Sequence, residues 1–420
     1  MSDLRPIITN SRQPARRLVS VGPEDDAERA PGERMSFFHV NDTEPETIGD
    51  VSYEPSSVAQ VLRETVLGKG PISWCLACAP FALLSFYFRM GATWVFWLNF
   101  ITMIPLASIL GDFTEELALH TNDTIGGLIN ASFGNAVEVV VAINALLAGE
   151  IRVVQGSLLG SIFSNLLLVL GSCFFFGGLR HQEQSFNATA ASANMGLLAL
   201  SSIALVLPTP FAEYYELHDE QVLMVSRLAA VFLLCMYAQL LVFQLHTHTN
   251  MFQNEEGEDE QSAKISMTVA VFGLLVTTLL VALFSNFLVD SIDGFTEASG
   301  ISRTFVGIVL IPIVGNAVEH ITAVTVAMKN KMDLAMGIAL GSSTQISLLV
   351  VPLTVIVGWV AGVDMTLNFP HFEIALYILS IFTVSIVLSN PTCNWLEGSL
   401  LITTYIMLAV GFWYEKIENY

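Results

Sequence analysis

Two glutamates occupy the middle of long apolar runs: Glu138 within 126–148 and Glu319 within 301–328. A carboxylate at the centre of a bilayer costs about 3 kcal/mol on insertion scales, so such a residue is a functional candidate by default. No Lys or Arg lies inside either run to make a purely structural pair, and His320 and Arg227 are the nearest cationic candidates. Asn135 and Asn316 precede the glutamates by three residues, a spacing that shares one helix face. Gly134 and Gly315 come just before them, and Pro312 stands near the second pair. These residue types interrupt helices and free backbone carbonyls. Carboxylate, amide and carbonyl oxygens suit a hard divalent cation, and calcium takes about 6–8 of them. With no cysteine and little histidine in the set, zinc or copper fits less well.

Two carboxylates in a low-dielectric site would titrate as one coupled unit. One divalent cation or protons can neutralise them, which makes the two ions competitors for one place. His320 adjoins Glu319, whereas Val139 stands after Glu138; a histidine there is a candidate for proton coupling, or a packing residue. The neighbouring runs carry Gln155, Ser157, Ser161, Ser164 and Asn165 in one, and Ser342, Ser343, Thr344, Gln345 and Ser347 in the other. Ser161, Ser342 and Gln345 are the candidates to line an ion site, although hydroxyls on helices also bond back to their own carbonyls.

The elements that must position these groups are membrane spans. A span needs about 20 apolar residues. Eleven candidates follow residue 72, at about 72–90, 92–111, 126–148, 152–178, 188–208, 221–245, 265–288, 301–328, 332–361, 371–389 and 395–414. The runs do not alternate as barrel strands do, so the expected class is an all-α integral membrane protein. Span 332–361 is long enough to require a tilt or a break.

The pentapeptide GNAVE occurs at 134–138 and again at 315–319, an offset of 181 residues. The same offset aligns Gly156 with Gly337, Gly160 with Gly341 and Ser161 with Ser342, without a gap from 134 to 171. Five spans separate the copies, so they cross in opposite directions. The expected architecture is therefore two inverted five-helix repeats, 92–245 and 265–414, preceded by one extra helix at 72–90. Inverted repeats are typical of secondary transporters that bind at the midplane.

Composition agrees. Of 420 residues, 53% are hydrophobic and 13% charged, against about a quarter charged in soluble chains. The net charge of -21 argues against a nucleic-acid partner. Residues 1–70 hold 8 of the 17 Lys and Arg and are expected to form a disordered cytosolic tail. That puts the N-terminus in the cytosol, the C-terminus on the lumenal side, and the connection 246–264 in the cytosol. This connection contains Glu255, Glu256, Glu258, Asp259 and Glu260, a cation-attracting element or a solvated spacer without EF-hand spacing. Glu115, Glu116, Asp290, Asp293 and Glu297 are read as loop acids or entry funnels. The five cysteines, including Cys75 and Cys78, are scattered through apolar stretches and read as packing residues. Sequons such as those at Asn41, Asn122 and Asn187 fall on the cytosolic side and are expected to be unused. Neither HExxH nor GxSxG is present, so enzyme activity is not expected.

The stretches GNAVEVVVAINAL (134–146) and GNAVEHITAVTVAMKNKMDLAMGIALGSSTQISLLVVPL (315–353) resemble the two signature repeats of the vacuolar calcium/proton exchangers, within the wider cation/calcium exchanger superfamily. The resemblance covers about 72–414, and the acidic stretch 255–260 is similar to that family's acidic linker. It implies ten core helices in two inverted repeats with one extra N-terminal helix. It also implies calcium loading of an acidic vacuole driven by protons, with no cofactor beyond the transported Ca2+ and H+. The family's glutamates, asparagines and histidine map onto Glu138, Glu319, Asn135, Asn316 and His320. The residues alone leave open manganese as cargo, sodium as driving ion, and a calcium-permeable channel. Oligomeric state is not encoded in these patterns.

Overall fold

A computed structural model describes residues 58–216, 218–248 and 263–415. The acidic run 255–260, most of the N-terminal tail and Asn41 lie outside the described residues. Helices dominate, as apolar chains in lipid require, because every backbone polar group must be satisfied internally. The helices are α1 (Val58–Leu67), α2 (Pro71–Tyr87), α3 (Ala92–Ala118), α4 (Asp123–Phe133), α5 (Ala136–Leu147), α6 (Ile151–Arg180), α7 (Ala188–Tyr214), α8 (Asp219–Thr247), α9 (Met267–Asp290), α10 (Ile292–Ser299), α11 (Arg303–Gly315), α12 (Ala317–Ala327), α13 (Met332–Ala361), α14 (His371–Val387) and α15 (Trp395–Trp413). Seven of these are long and apolar enough to cross a membrane. Three bent pairs, α1–α2, α4–α5 and α11–α12, pass the same test together, and α14 is a shorter apolar helix.

Three features sharpen or correct the sequence expectation. Residues 58–67, placed in the disordered tail, form helix α1, because Val61 finds a buried site. Lys69 then anchors the chain: its Nζ donates to Asp112 Oδ1 at 2.5 Å and to Ser108 Oγ at 2.6 Å. The runs 126–148 and 301–328 are each two helices, bent by 43° and 57° at Gly134–Asn135 and at Asn316. The long run 332–361 stays one helix and absorbs its length in a π-turn at Ile346–Val350. Helix α6 carries a π-turn at the matching place, Ser164–Val169. Such single π-turns sit preferentially at functional sites.

Polar residues set the helix starts. Asn122, Asn187 and Ser302 each accept an N-terminal backbone N–H, and Asn394 with Glu397 forms a capping box. Two of the sequon asparagines are thus caps. The long helices α3 and α9 pack against each other, as do α6 and α15. A two-residue antiparallel strand pair, β1 (Gln184–Ser185) with β2 (Thr392–Cys393), joins the loops before α7 and α15. Cys75 and Cys78 lie in a short 3-10 turn within α2 and are free, as are Cys173, Cys235 and Cys393.

Candidate ion-binding site

The two breaks meet at the centre of the bundle. Asn135 and Asn316 have φ/ψ of -104°/29° and -87°/2°, the sparsely populated bridge region where functional residues often sit. Each ends one helix and starts the next, so Glu138 and Glu319 lie in the first turns of α5 and α12. A helix start leaves its first N–H groups without intrahelical partners, and the end of the preceding helix leaves carbonyls. Both breaks therefore bring polar backbone into an apolar interior.

Each break is completed by the other half of the chain. Asn135 Nδ2 donates to Gln345 Oε1 at 2.7 Å, and Asn135 Oδ1 accepts from Ser342 Oγ at 2.9 Å. Asn316 Nδ2 donates to the Ser161 carbonyl at 3.3 Å. Ser342 is the hub: its Oγ also lies 3.0 Å from Glu319 Oε1 and accepts from Asn165 Nδ2 at 3.0 Å. Glu138 reaches the second break. A Cβ added to Gly315 would lie 2.6 Å from Glu138 Oε1. A cavity of about 10 Å³, room for about one water-sized sphere, is lined by Glu138, Ser157, Ser161 and Gly315 with apolar neighbours.

Among the described residues, four buried acceptor oxygens at this junction have no hydrogen-bond partner: Glu138 Oε1, Glu319 Oε2, Asn165 Oδ1 and Asn316 Oδ1. Leaving buried acceptors unpaired costs roughly 1–3 kcal/mol each, and more when charged. Four such oxygens, two of them from carboxylates, offer a hard cation the donors it prefers and offer a proton two places to bind. No group of three or more His, Cys, Asp or Glu placed to hold a metal ion occurs among the described residues. A metal here would depend on amide, hydroxyl and carbonyl oxygens.

The structure brings Glu138, Glu319, Asn135, Asn316, Gly134, Gly315, Ser161, Ser342 and Gln345 together. His320 is half-buried beside Glu319. Asn165 was visible in the sequence as a polar residue in α6, but only the fold turns it toward Ser342. Ser343 and Thr344 bond back to Ala339 and Leu340 instead. Gln155 is a brace, accepting from Arg152 and donating to the Thr366 and Asn368 carbonyls. Arg152 forms the ion pair that sequence reading missed, 2.5 Å from the fully buried Glu373. Of the loop acids, Glu116 caps the chain at Lys264 and Ile265, and Asp293 pairs with Arg303.

The two ends of the site are unlike. The first half of α6 lies against α11: a Cβ on Gly156 would meet Ile308 at 3.2 Å, and one on Gly160 would overlap the Ile308 carbonyl. Gly337 and Gly341 hold the same places in α13, yet a Cβ on either meets nothing within 4 Å. Gly127, the counterpart of Ile308, faces Leu245 instead. The bundle is closed between α6 and α11 and open between α13 and α4.

A helical membrane bundle with two broken spans facing each other at buried acids is the architecture of an ion exchanger, and the comparisons agree. The profile of the sodium/calcium exchanger protein family matches residues 91–246 and 269–414, and the chain belongs to that family. It is 41% identical over 360 residues to the vacuolar calcium ion transporter of Schizosaccharomyces pombe, covering 84% of this chain and 87% of the relative. It is likewise 41% identical to a Ca(2+)/H(+) antiporter of Synechocystis, covering 81% and 96%. Among solved structures, YfkE superposes with a TM-score of 0.71 at 33% identity, over 81% of this chain and 98% of YfkE. The H+/Ca2+ exchanger CAX, at 15% identity and a TM-score of 0.61, shares the fold.

Proposed function

We propose that the protein is a secondary antiporter that exchanges Ca2+ for H+ by alternating access, moving cytosolic Ca2+ into an acidic vacuole. Glu138 and Glu319 bind the cation or protons in turn, with Asn135, Asn316 and the surrounding hydroxyls completing the cation's shell. The observation that carries this reading is the set of four unpartnered buried oxygens contributed by both breaks. A divalent cation compensates both carboxylates at once, and so do protons. The empty, doubly charged site is the form least able to reorient in a low dielectric. Coupling follows from that restriction. The names of the relatives, a vacuolar calcium transporter and a Ca(2+)/H(+) antiporter, support the choice of ions.

The threading is eleven spans: α2, then α3, α4–α5, α6, α7 and α8 as one repeat, and α9, α11–α12, α13, α14 and α15 as its inverted copy. The N-terminus is cytosolic and the C-terminus lumenal. Contacts between distant segments support it. Lys69 with Asp112, Glu116 with Lys264, and β1 with β2 all fall on the cytosolic face. Arg152 with Glu373, and Arg303 with Glu150, fall on the other. The open end between α4 and α13 then faces the cytosol. The acidic residues 255–260 are a cytosolic element suited to collecting cations.

The test is calcium uptake into sealed proteoliposomes. An acidic interior should drive uptake with proton release. Uptake driven by a sodium gradient would move the protein to sodium coupling. Flux that follows only calcium and voltage would make it a channel, and competition with Mn2+ in the same assay ranks the cargo.

A further inference from the structure

The closed end of the bundle has a charged rim. Arg303 is the first residue of α11, and its guanidinium pairs with Asp293 of α10. Its Nη1 also lies 3.9 Å from Oε2 of Glu150, the residue ahead of α6. One side chain thus spans the three elements that meet at this rim. Just inside it, Val153 is buried, and its backbone lies 3.3–3.5 Å from where a Cβ on Gly307 would sit. The contacts of Gly156 and Gly160 with Gly307 and Ile308 follow inward, and then Asn316 with Ser161 and Glu138 with Gly315. The rim is the outer end of a continuous seam that leads to the acids.

The other contacts of these elements do not do the same work. Arg152 turns away to Glu373, and Ser302 donates to the Phe412 carbonyl at 3.3 Å, which holds α11 to α15. Among the described residues, no other ion pair joins the start of α6 to α10 or α11. The sequence offset gives the opposite rim no copy of this pair: Lys331 stands in the place of Glu150, and Asn122 in the place of Arg303. The device belongs to one face only.

We propose that Arg303, bridging Asp293 and Glu150, is a latch that holds this face shut and must release for the site to open there. The latch is sensitive to acid. Burial, then repulsion from Asp293, hold the Glu150 carboxyl above its ordinary range, against the pull of Arg303. The charged form that binds Arg303 is present at high pH and is lost as pH falls through this raised value. Acid on this face therefore favours release. The role of release in a transport cycle rests on the alternating-access reading above, whereas the closure itself is read independently of transport.

The experiment is thiol labelling of the full chain in detergent, with Val153→Cys as reporter and a membrane-impermeant reagent. Labelling of the parent's five native cysteines is subtracted. Val153→Cys should be protected at neutral pH. Adding Arg303→Gln or Glu150→Gln should speed labelling roughly fivefold, the scale of one half-exposed ion pair. The two together should do no more than either alone, and Arg303→Lys should keep protection, which separates a lost latch from a misfolded rim. Between about pH 8 and about pH 5, labelling relative to that of Glu150→Gln at the same pH should rise, the thiol's own titration cancelling. Unchanged protection in Arg303→Gln, or an acid response that survives in Glu150→Gln, overturns the latch. Calcium uptake by the unmodified chain is measured separately. Its absence would remove the exchange reading and leave the labelling result standing.

Discussion

Gly315→Ala isolates the contribution of Glu138 with a single methyl group. The added Cβ would lie 2.6 Å from Glu138 Oε1, 3.1 Å from its carboxyl carbon and 3.4 Å from Cγ. Ordinary contact begins at 3.4 Å, so the carboxylate oxygen must retreat by about 0.8 Å. The obstacle is the end of a flexible side chain rather than backbone, and Gly315 is not in the left-handed region. The fold should therefore change little, within about 1 kcal/mol for a glycine-to-alanine exchange at a compatible site. The ion site should change much more. A misplacement near 1 Å costs a preorganised site about 100-fold, and each tenfold loss is about 1.4 kcal/mol. The expected result is a KM for Ca2+ raised about 10–100-fold in proteoliposome uptake, with a thermal midpoint close to the parent's. Gly196→Ala in α7 is the control, since its Cβ meets nothing within 4 Å and α7 carries neither break. A Gly315→Ala protein that transports with a KM within about twofold of the parent would refute the placement of Glu138 in the cation's shell.

Other outcomes follow from the same geometry. Glu138→Gln and Glu319→Gln should each abolish calcium-driven proton movement while leaving expression and membrane insertion intact; near-normal exchange by either would sink the two-carboxylate site. Gly341→Ala should melt like the parent, because its Cβ meets nothing within 4 Å, yet lose at least about tenfold in uptake if closure of α13 on α4 is part of the cycle, since a Cβ on its counterpart Gly160 overlaps the Ile308 carbonyl in the closed seam. Unaltered uptake would mean that the two ends do not exchange roles. Arg152→Ala leaves Glu373 fully buried without its cation. With Arg152 itself partly exposed, the loss should be about 2 kcal/mol, less than for a wholly buried pair. Glu373→Gln in the same chain should recover part of it, read as the shift in thermal midpoint.

The ingredients of the site were legible because they violate the rule of their surroundings. A glutamate in an apolar run is conspicuous, and two of them in identical pentapeptides cannot be mistaken for ordinary patterning. Glycine and asparagine ahead of each acid pointed to a break, yet hydropathy cannot fix the angle, and the runs 126–148 and 301–328 read as single spans. Asn165 gave no comparable signal, whereas Ser342 stood out only because the repeat pairs it with Ser161. Polar residues on an apolar helix can bond to their own backbone, as Ser343 and Thr344 do, and only packing decides which of them turn inward. The Arg152–Glu373 pair joins residues 221 positions apart, beyond any local pattern. Helix α1 was missed because a short amphipathic segment in a charged tail becomes a helix only when a partner surface receives it.

The cross-bracing of the two breaks has a consequence for how such a chain arose. Asn135 is held by Ser342 and Gln345, Asn316 by the Ser161 carbonyl, and Glu138 fits into the space left by Gly315. No acid is furnished with its full surroundings by its own copy of GNAVE. A polypeptide of half this length would carry one carboxylate and a broken helix with nothing opposite. The partner best fitted to complete it would be a second molecule of itself and, on the threading proposed above, one inserted the other way up. Joining both copies in one chain makes that meeting obligatory, and it leaves each free to differ: Val139 follows one glutamate and His320 the other.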